Sequence, residues 1–89
     1  MYQLSDLQQL IRDRFLAHDK EYDTTRAFAF FVEEVGELAR AVSRGDRDNL
    51  EEELGEVLMW LLSLANLHDI DINNAVARYL ADPANEAPK

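Results

Sequence analysis

Between Thr24 and His68 the sequence lays two long helical patterns on either side of Gly45. Before it, Phe28, Phe31, Val35, Leu38 and Val42 recur at alternating three- and four-residue steps, the spacing that lines one face of a helix. After it, the run from Val57 to Leu67 is apolar nearly all round, which a helix tolerates only when covered on more than one side. The turn between them reads "RGDRD", and Gly45 suits the position just past a helix end. No segment alternates like a half-buried strand. The chain therefore reads as all-α, a helical bundle around an antiparallel hairpin of helices 2 and 3.

The flanks add two shorter helices. Ser5 and Gln8 form a capping-box pattern opening helix 1 over about residues 6–18, with Leu7, Leu10, Ile11, Phe15 and Leu16 on its apolar side. "HDKEYD" breaks it, and helix 2 starts near Thr24. Asp48 and Glu51 make a second capping-box pattern, opening helix 3 over about residues 49–68. Asp71 suits the cap of a short helix 4 that stops before Pro83. This gives one domain over residues 1–82 and a frayed tail over 83–89. Eighty-nine residues are few for burying a core alone, yet 47% of them are apolar. The bundle is thus expected to be completed by oligomerisation, as a homodimer or as a tetramer built as a dimer of dimers.

Charge and composition exclude several classes of function. Eighteen acidic residues against nine basic ones give a net charge of −9, which repels nucleic-acid polymers and anionic membranes. A small phosphorylated substrate remains compatible if cations offset the repulsion. There is no cysteine, hence no disulfide framework or thiolate site. The N-terminus "MYQLSDLQQL" lacks the regions of a signal peptide, and "VLMWLL" is too short to cross a bilayer. A soluble, cytoplasmic protein is the expectation.

Glutamates interrupt both long helices. Glu34 and Glu37 share a face of helix 2 at a three-residue spacing, and Glu53 and Glu56 repeat that spacing on helix 3. Glu37 and Glu53 each stand eight residues from Gly45, and Glu34 and Glu56 each stand eleven. In an antiparallel hairpin these pairs reach equal heights, roughly 12 and 16 Å from the turn. Four carboxylates brought together need neutralising, and hard divalent cations such as Mg²⁺ or Mn²⁺ prefer oxygen ligands. With no Cys, and with His18 and His68 outside the cluster, zinc is disfavoured. The alternative is an ordinary solvated acidic face.

The pattern E-E-x-x-E, a short turn, then E-x-x-D and an apolar helix is similar to that of the MazG-like all-α nucleoside triphosphate pyrophosphohydrolases. Here it reads Glu33-Glu34-x-x-Glu37, then Glu53-x-x-Glu56 within "EELGEVLMWLLSLANLHDIDI", a likeness covering roughly residues 22–80. The resemblance implies Mg²⁺-dependent cleavage between the α- and β-phosphates of a (deoxy)nucleoside triphosphate, giving a monophosphate and pyrophosphate in nucleotide-pool house-cleaning. It implies Glu34, Glu37, Glu53 and Glu56 as metal ligands and Glu33 as an auxiliary carboxylate; of the carboxylates, Glu34 is the one we expect to orient or deprotonate the attacking water. Two positions depart from the family. Glu56 replaces the usual Asp and reaches one methylene further, and a family lysine on the last helix has its nearest match in Arg78, which would hold the leaving pyrophosphate.

The hairpin symmetry also sets Phe30 opposite Trp60, an aromatic pair that could sandwich a base, although mutual packing is the commoner fate of such rings. Arg40, Arg44 and Arg47 gather near the turn, where the first two suit the C-terminal end of helix 2's dipole and nearby acids. Asn66 interrupts the apolar helix and needs a hydrogen-bond partner if buried, best supplied by a neighbouring helix. Two further readings compete. A phosphoribosyl-ATP pyrophosphohydrolase usually shows a lysine just ahead of its first motif and a His-containing segment after the second, where this chain has "FFVEEVGE" and "VLMWLLSL". A non-catalytic interaction module would use the carboxylates to bind a cation structurally or to recruit a basic partner.

Overall fold

The computed structural model describes residues 2–86, which form helices and no strand. The order is α1 (Leu4–Asp19), α2 (Thr24–Arg44), α3 (Arg47–Leu67), α4 (Ile72–Ala81) and a 3-10 turn at Pro83–Asn85. That turn falls inside the expected tail, where the Asp82 carboxylate accepts from the Ala84 amide at 3.0 Å; residues 87–89 of the tail lie outside the described residues.

Local chemistry accounts for most helix ends. Asp23 caps α2 by accepting from the Arg26 amide at 2.8 Å, and Asp71 caps α4 by accepting from the Asn73 amide at 2.9 Å. Gly45 closes α2 at φ 69°, in the left-handed region that glycine enters without a Cβ penalty, and its N–H donates to the Ala41 carbonyl. The start of α3 differs from the expected capping box. Asp46 is its cap, accepting from the Asn49 amide at 3.2 Å, so α3 begins two residues earlier and Asp48 falls in its first turn, where the helix dipole favours an acid.

The start of α1 differs more. Its cap is Gln3, which makes no side-chain capping bond, and Gln8 does not fold back towards Ser5. Gln8 is instead buried and reaches across to the far end of α3. Its Nε2 donates to Asn66 Oδ1 at 3.0 Å and to the Ile70 carbonyl at 2.7 Å, while its Oε1 accepts from the Ile72 amide at 2.9 Å. Asn66 Nδ2 in turn donates to the Gln8 carbonyl at 3.2 Å. Two buried amides thus satisfy each other and fasten α1 to the α3–α4 junction, in the structural role expected of Asn66.

Helix α3 runs between α1 and α2, antiparallel to both, and the core lies along it: Ile11 from α1, Ala27 and Ala41 from α2, and Leu62 and Ala65 from α3. The expected packing stripe on α2 needs correction. Phe28, Val35 and Val42 are exposed, and Phe31 and Leu38 only half-buried. The face turned to α3 carries the small Ala27 and Ala41, which let the two backbones approach, and it is this face that also carries Glu34. The bulkier apolar stripe is left over, as are Leu54, Leu58 and Leu61 on α3. The consequence shows in area. The chain exposes 6919 Å² at 10.2 kDa, against about 5300 Å² for a compact monomer of that mass.

Candidate functional site

The α2–α3 hairpin brings the two glutamate pairs together. Glu34, Glu37, Glu53 and Glu56 each offer a carboxylate oxygen within 4.8 Å of the other three. Three of them are half-buried and Glu37 is exposed. The longer side chain at position 56 therefore still reaches the group. Glu33 is exposed on the adjoining face of α2 and stands outside it.

The electrostatics of this group are unfavourable without a counterion. Glu34 Oε2 and Glu53 Oε2 are both buried and accept no hydrogen bond. The Glu34 carboxyl is pushed up to about 8, first because its protonated form can hydrogen-bond to Glu56, then by burial, and then by the charges of Glu56 and Glu37. Glu53 is raised as well, first by desolvation and then by Glu37, Glu56 and Glu52, while a hydrogen bond with Glu34 opposes the shift. Two orphaned buried oxygens, an all-carboxylate donor set and close mutual approach suit a hard divalent cation, whose charge would remove the repulsion.

One turn further from Gly45 the helices carry aromatic rings. Phe30 and Trp60 face each other as expected, with centroids 5.5 Å apart and planes inclined at 37°. At that separation the rings pack on one another and no slot for a base remains between them, which closes the sandwich arrangement. Tyr22 continues the row against Phe30 at 5.6 Å, His18 meets Tyr22 at 5.4 Å, and the Arg26 guanidinium lies 4.9 Å over the Tyr22 ring. Trp60 has another side. A cavity of about 240 Å³ is lined by Trp60 and Met59 of α3, by Phe15, His18 and Asp19 of α1, and by Ser63. Met59 also borders an open acidic groove with Gly55 and Glu56, so the cavity and the carboxylates adjoin.

Arg78 is exposed on α4, which packs mainly against α1, and it forms no ion pair among the described residues. Arg40, Arg44 and Arg47 are likewise exposed and make no ion pair there, so the expected pairing with nearby acids is absent. The residues that sequence reasoning passed over are Asp19, Met59 and Ser63. Asp19 sits in "HDKEYD", read only as a helix breaker, and nothing in that segment marks it as buried.

Comparison with known proteins fits this geometry. The model of the MazG nucleotide pyrophosphohydrolase domain matches residues 23–82, from the cap of α2 to the residue after α4. Over 86% of its length the chain is also similar to the uncharacterized protein YpjD of Bacillus subtilis (strain 168), with 34% identity and 79% of that protein covered.

Proposed function

The chain belongs to the MazG nucleotide pyrophosphohydrolase family, and on that premise we propose that it hydrolyses (deoxy)nucleoside triphosphates to a nucleoside monophosphate and pyrophosphate with Mg²⁺, or Mn²⁺ in its place. The observation that carries this reading is the four-carboxylate cluster with its two unpartnered buried oxygens, inside the matched segment. Glu34, Glu37, Glu53 and Glu56 would hold the ion. When bound, Mg²⁺ supplies Lewis-acid stabilisation of phosphate oxygens and offsets the −9 charge of the chain against a polyanionic substrate.

The chain's own residues do the remaining work. Glu34 orients or deprotonates the attacking water, its Oε2 being buried with no hydrogen-bond partner in the protein. A water deprotonated by Glu34 attacks the α-phosphorus in line, and pyrophosphate leaves. Arg78 steadies the departing charge, and exposed Glu33 assists at the rim. Trp60 offers its free face to the base, since Phe30 occupies the other.

Assembly belongs to the same proposal. The surplus of exposed area and the bare stripe of Phe28, Val32, Val35 and Val42 beside Leu54, Leu58 and Leu61 support a homodimer or a dimer of dimers that covers both hairpin helices. Among the described residues no helix is long and apolar enough to cross a membrane. A house-cleaning enzyme of the cytoplasm is the setting we infer. The test is a panel of nucleotides plus phosphoribosyl-ATP, with and without Mg²⁺, followed by pyrophosphate and monophosphate release. Glu37→Gln should abolish release while circular dichroism stays helical. Full activity in that variant removes the ligand assignment, turnover of phosphoribosyl-ATP alone moves the chain to that reaction, and metal binding without any turnover leaves a structural interaction module.

A further inference from the structure

Asp19 is 93% buried by its 7% relative exposure, yet it sits in a cavity whose other walls are mostly apolar. Its nearest basic neighbour, His18 Nδ1, stands 3.8 Å from Oδ1, beyond hydrogen-bond reach, and the His18 side chain is largely exposed. A carboxylate accepts hydrogen bonds and cannot donate them, and among the described residues none is donated to the Asp19 carboxylate. Ser63 in the same wall is also buried, and its hydroxyl can donate or accept. Trp60 supplies a flat apolar face between these polar groups and Glu56, which lies four residues, or about 6 Å of helix rise, towards the turn. The cavity's 240 Å³ is below the size of a typical whole-ligand pocket, about 300–1,000 Å³, and suits one heteroaromatic ring system.

We propose that Asp19 and Ser63 read the base of the substrate, and that they select a base presenting two adjacent N–H donors beside a carbonyl, the edge of guanine. This rests on the nucleotide reading above and names the specificity determinant within it. The chemistry separates the bases. Guanine offers N1–H and the exocyclic amine together, matching both oxygens of one carboxylate, and its O6 can accept from the Ser63 hydroxyl. Cytosine and adenine offer one amine beside a ring nitrogen lone pair, which opposes the second carboxylate oxygen. Thymine and uracil flank a single N–H with two carbonyls and fit worst. Asp19 acts on binding and takes no part in the bond-breaking step.

Trp60 is the chain's only tryptophan, so its fluorescence reports on this wall alone. The experiment titrates that fluorescence with dGMP, dCMP, dAMP and TMP, with and without Mg²⁺, in the native protein, Asp19→Asn and Ser63→Ala. We expect dGMP to bind at least about 10-fold tighter than TMP, the discrimination of one good bidentate pair. Asp19→Asn should collapse that ratio to within about twofold, because its amide presents a donor where an acceptor is needed, and Ser63→Ala should reduce it by a smaller factor. Circular dichroism and melting of both variants establish that they fold. Equal affinities for dGMP and TMP, no saturable response to any of the four, or an undiminished preference in a folded Asp19→Asn protein would overturn the proposal. Pyrophosphate release is measured alongside on dGTP and TTP. Selective dGMP binding without release from either triphosphate defeats the hydrolase reading and leaves the base site standing, whereas equal release and equal binding defeat the base site alone.

Discussion

Replacing Glu34 by glutamine removes one of four carboxylates from the cluster while keeping its shape, and the structure sets the sign of the effect. Two charges about 4 Å apart repel by about 1 kcal/mol in water and about 4 kcal/mol at an effective dielectric of 20. The cluster is only half-buried, so solvent screening favours the lower end, about 1–2 kcal/mol for the Glu34–Glu56 pair at high pH. The folded Glu34 carboxyl lies at about 8 against an ordinary value of 4.5, so between those values the folded protein holds a proton that the unfolded chain has lost. Stability of the metal-free protein must therefore fall as pH rises through that window and level off above it. Glu34→Gln lacks this group. In metal-free buffer its melting temperature should exceed that of the native protein by roughly 5–15 °C at pH 9, with a much smaller difference at pH 5, given about 4–8 °C per kcal/mol for a domain of this size. Mg²⁺ should raise the native protein's melting temperature more at pH 9 than at pH 6, because protons and cation compete for one set of oxygens, and should raise that of the variant less. A variant no more stable than the native protein at pH 9, or a difference independent of pH, would refute the electrostatic account of the cluster.

Gln8→Ala removes three side-chain hydrogen bonds and leaves Asn66 Oδ1, the Ile70 carbonyl and the Ile72 amide without that partner, so urea denaturation should show a loss of about 2–4 kcal/mol. Gln8→Glu should recover little of this loss, since a carboxylate cannot donate to the Asn66 and Ile70 oxygens. Beyond its chain neighbours and the backbone of its own helix, Gly55 in α3 has no atom within 4 Å of where a Cβ would stand. Gly55→Ala should therefore stabilise the chain by about 1 kcal/mol in the same assay. A destabilised Gly55→Ala protein would mean that something outside this chain occupies that space.

The hairpin and its carboxylates were legible because both rest on short-range periodicity. A three-residue step fixes which side chains share a face, and an equal count from Gly45 fixes which face each other; neither depends on the rest of the fold. The start of α2 at Thr24 and the cap at Asp71 were likewise readable from local sequence. Gln8 was not. A glutamine three residues after a serine satisfies the capping-box pattern, but the unsatisfied amide of Asn66, 58 positions away, recruited it instead. The apolar stripe of α2 misled in a similar way, because periodicity identifies a hydrophobic face without saying whether this chain covers it. Asp19 and Ser63 meet only once α1 is laid against α3, so no local pattern announces their cavity.

The join between α2 and α3 holds a last consequence. Helix α2 ends at Arg44 and α3 begins at Arg47, so Gly45 closes one helix and Asp46 opens the next. Exposed connections are ordinarily where a lineage gains and loses residues freely. This one has no slack to surrender. A single deletion would be drawn from a helix and would turn one glutamate pair by about 100° away from the other. Loop length here is under the same selection as the glutamates themselves, and natural variation in length should collect instead before α1, between α1 and α2, and beyond α4.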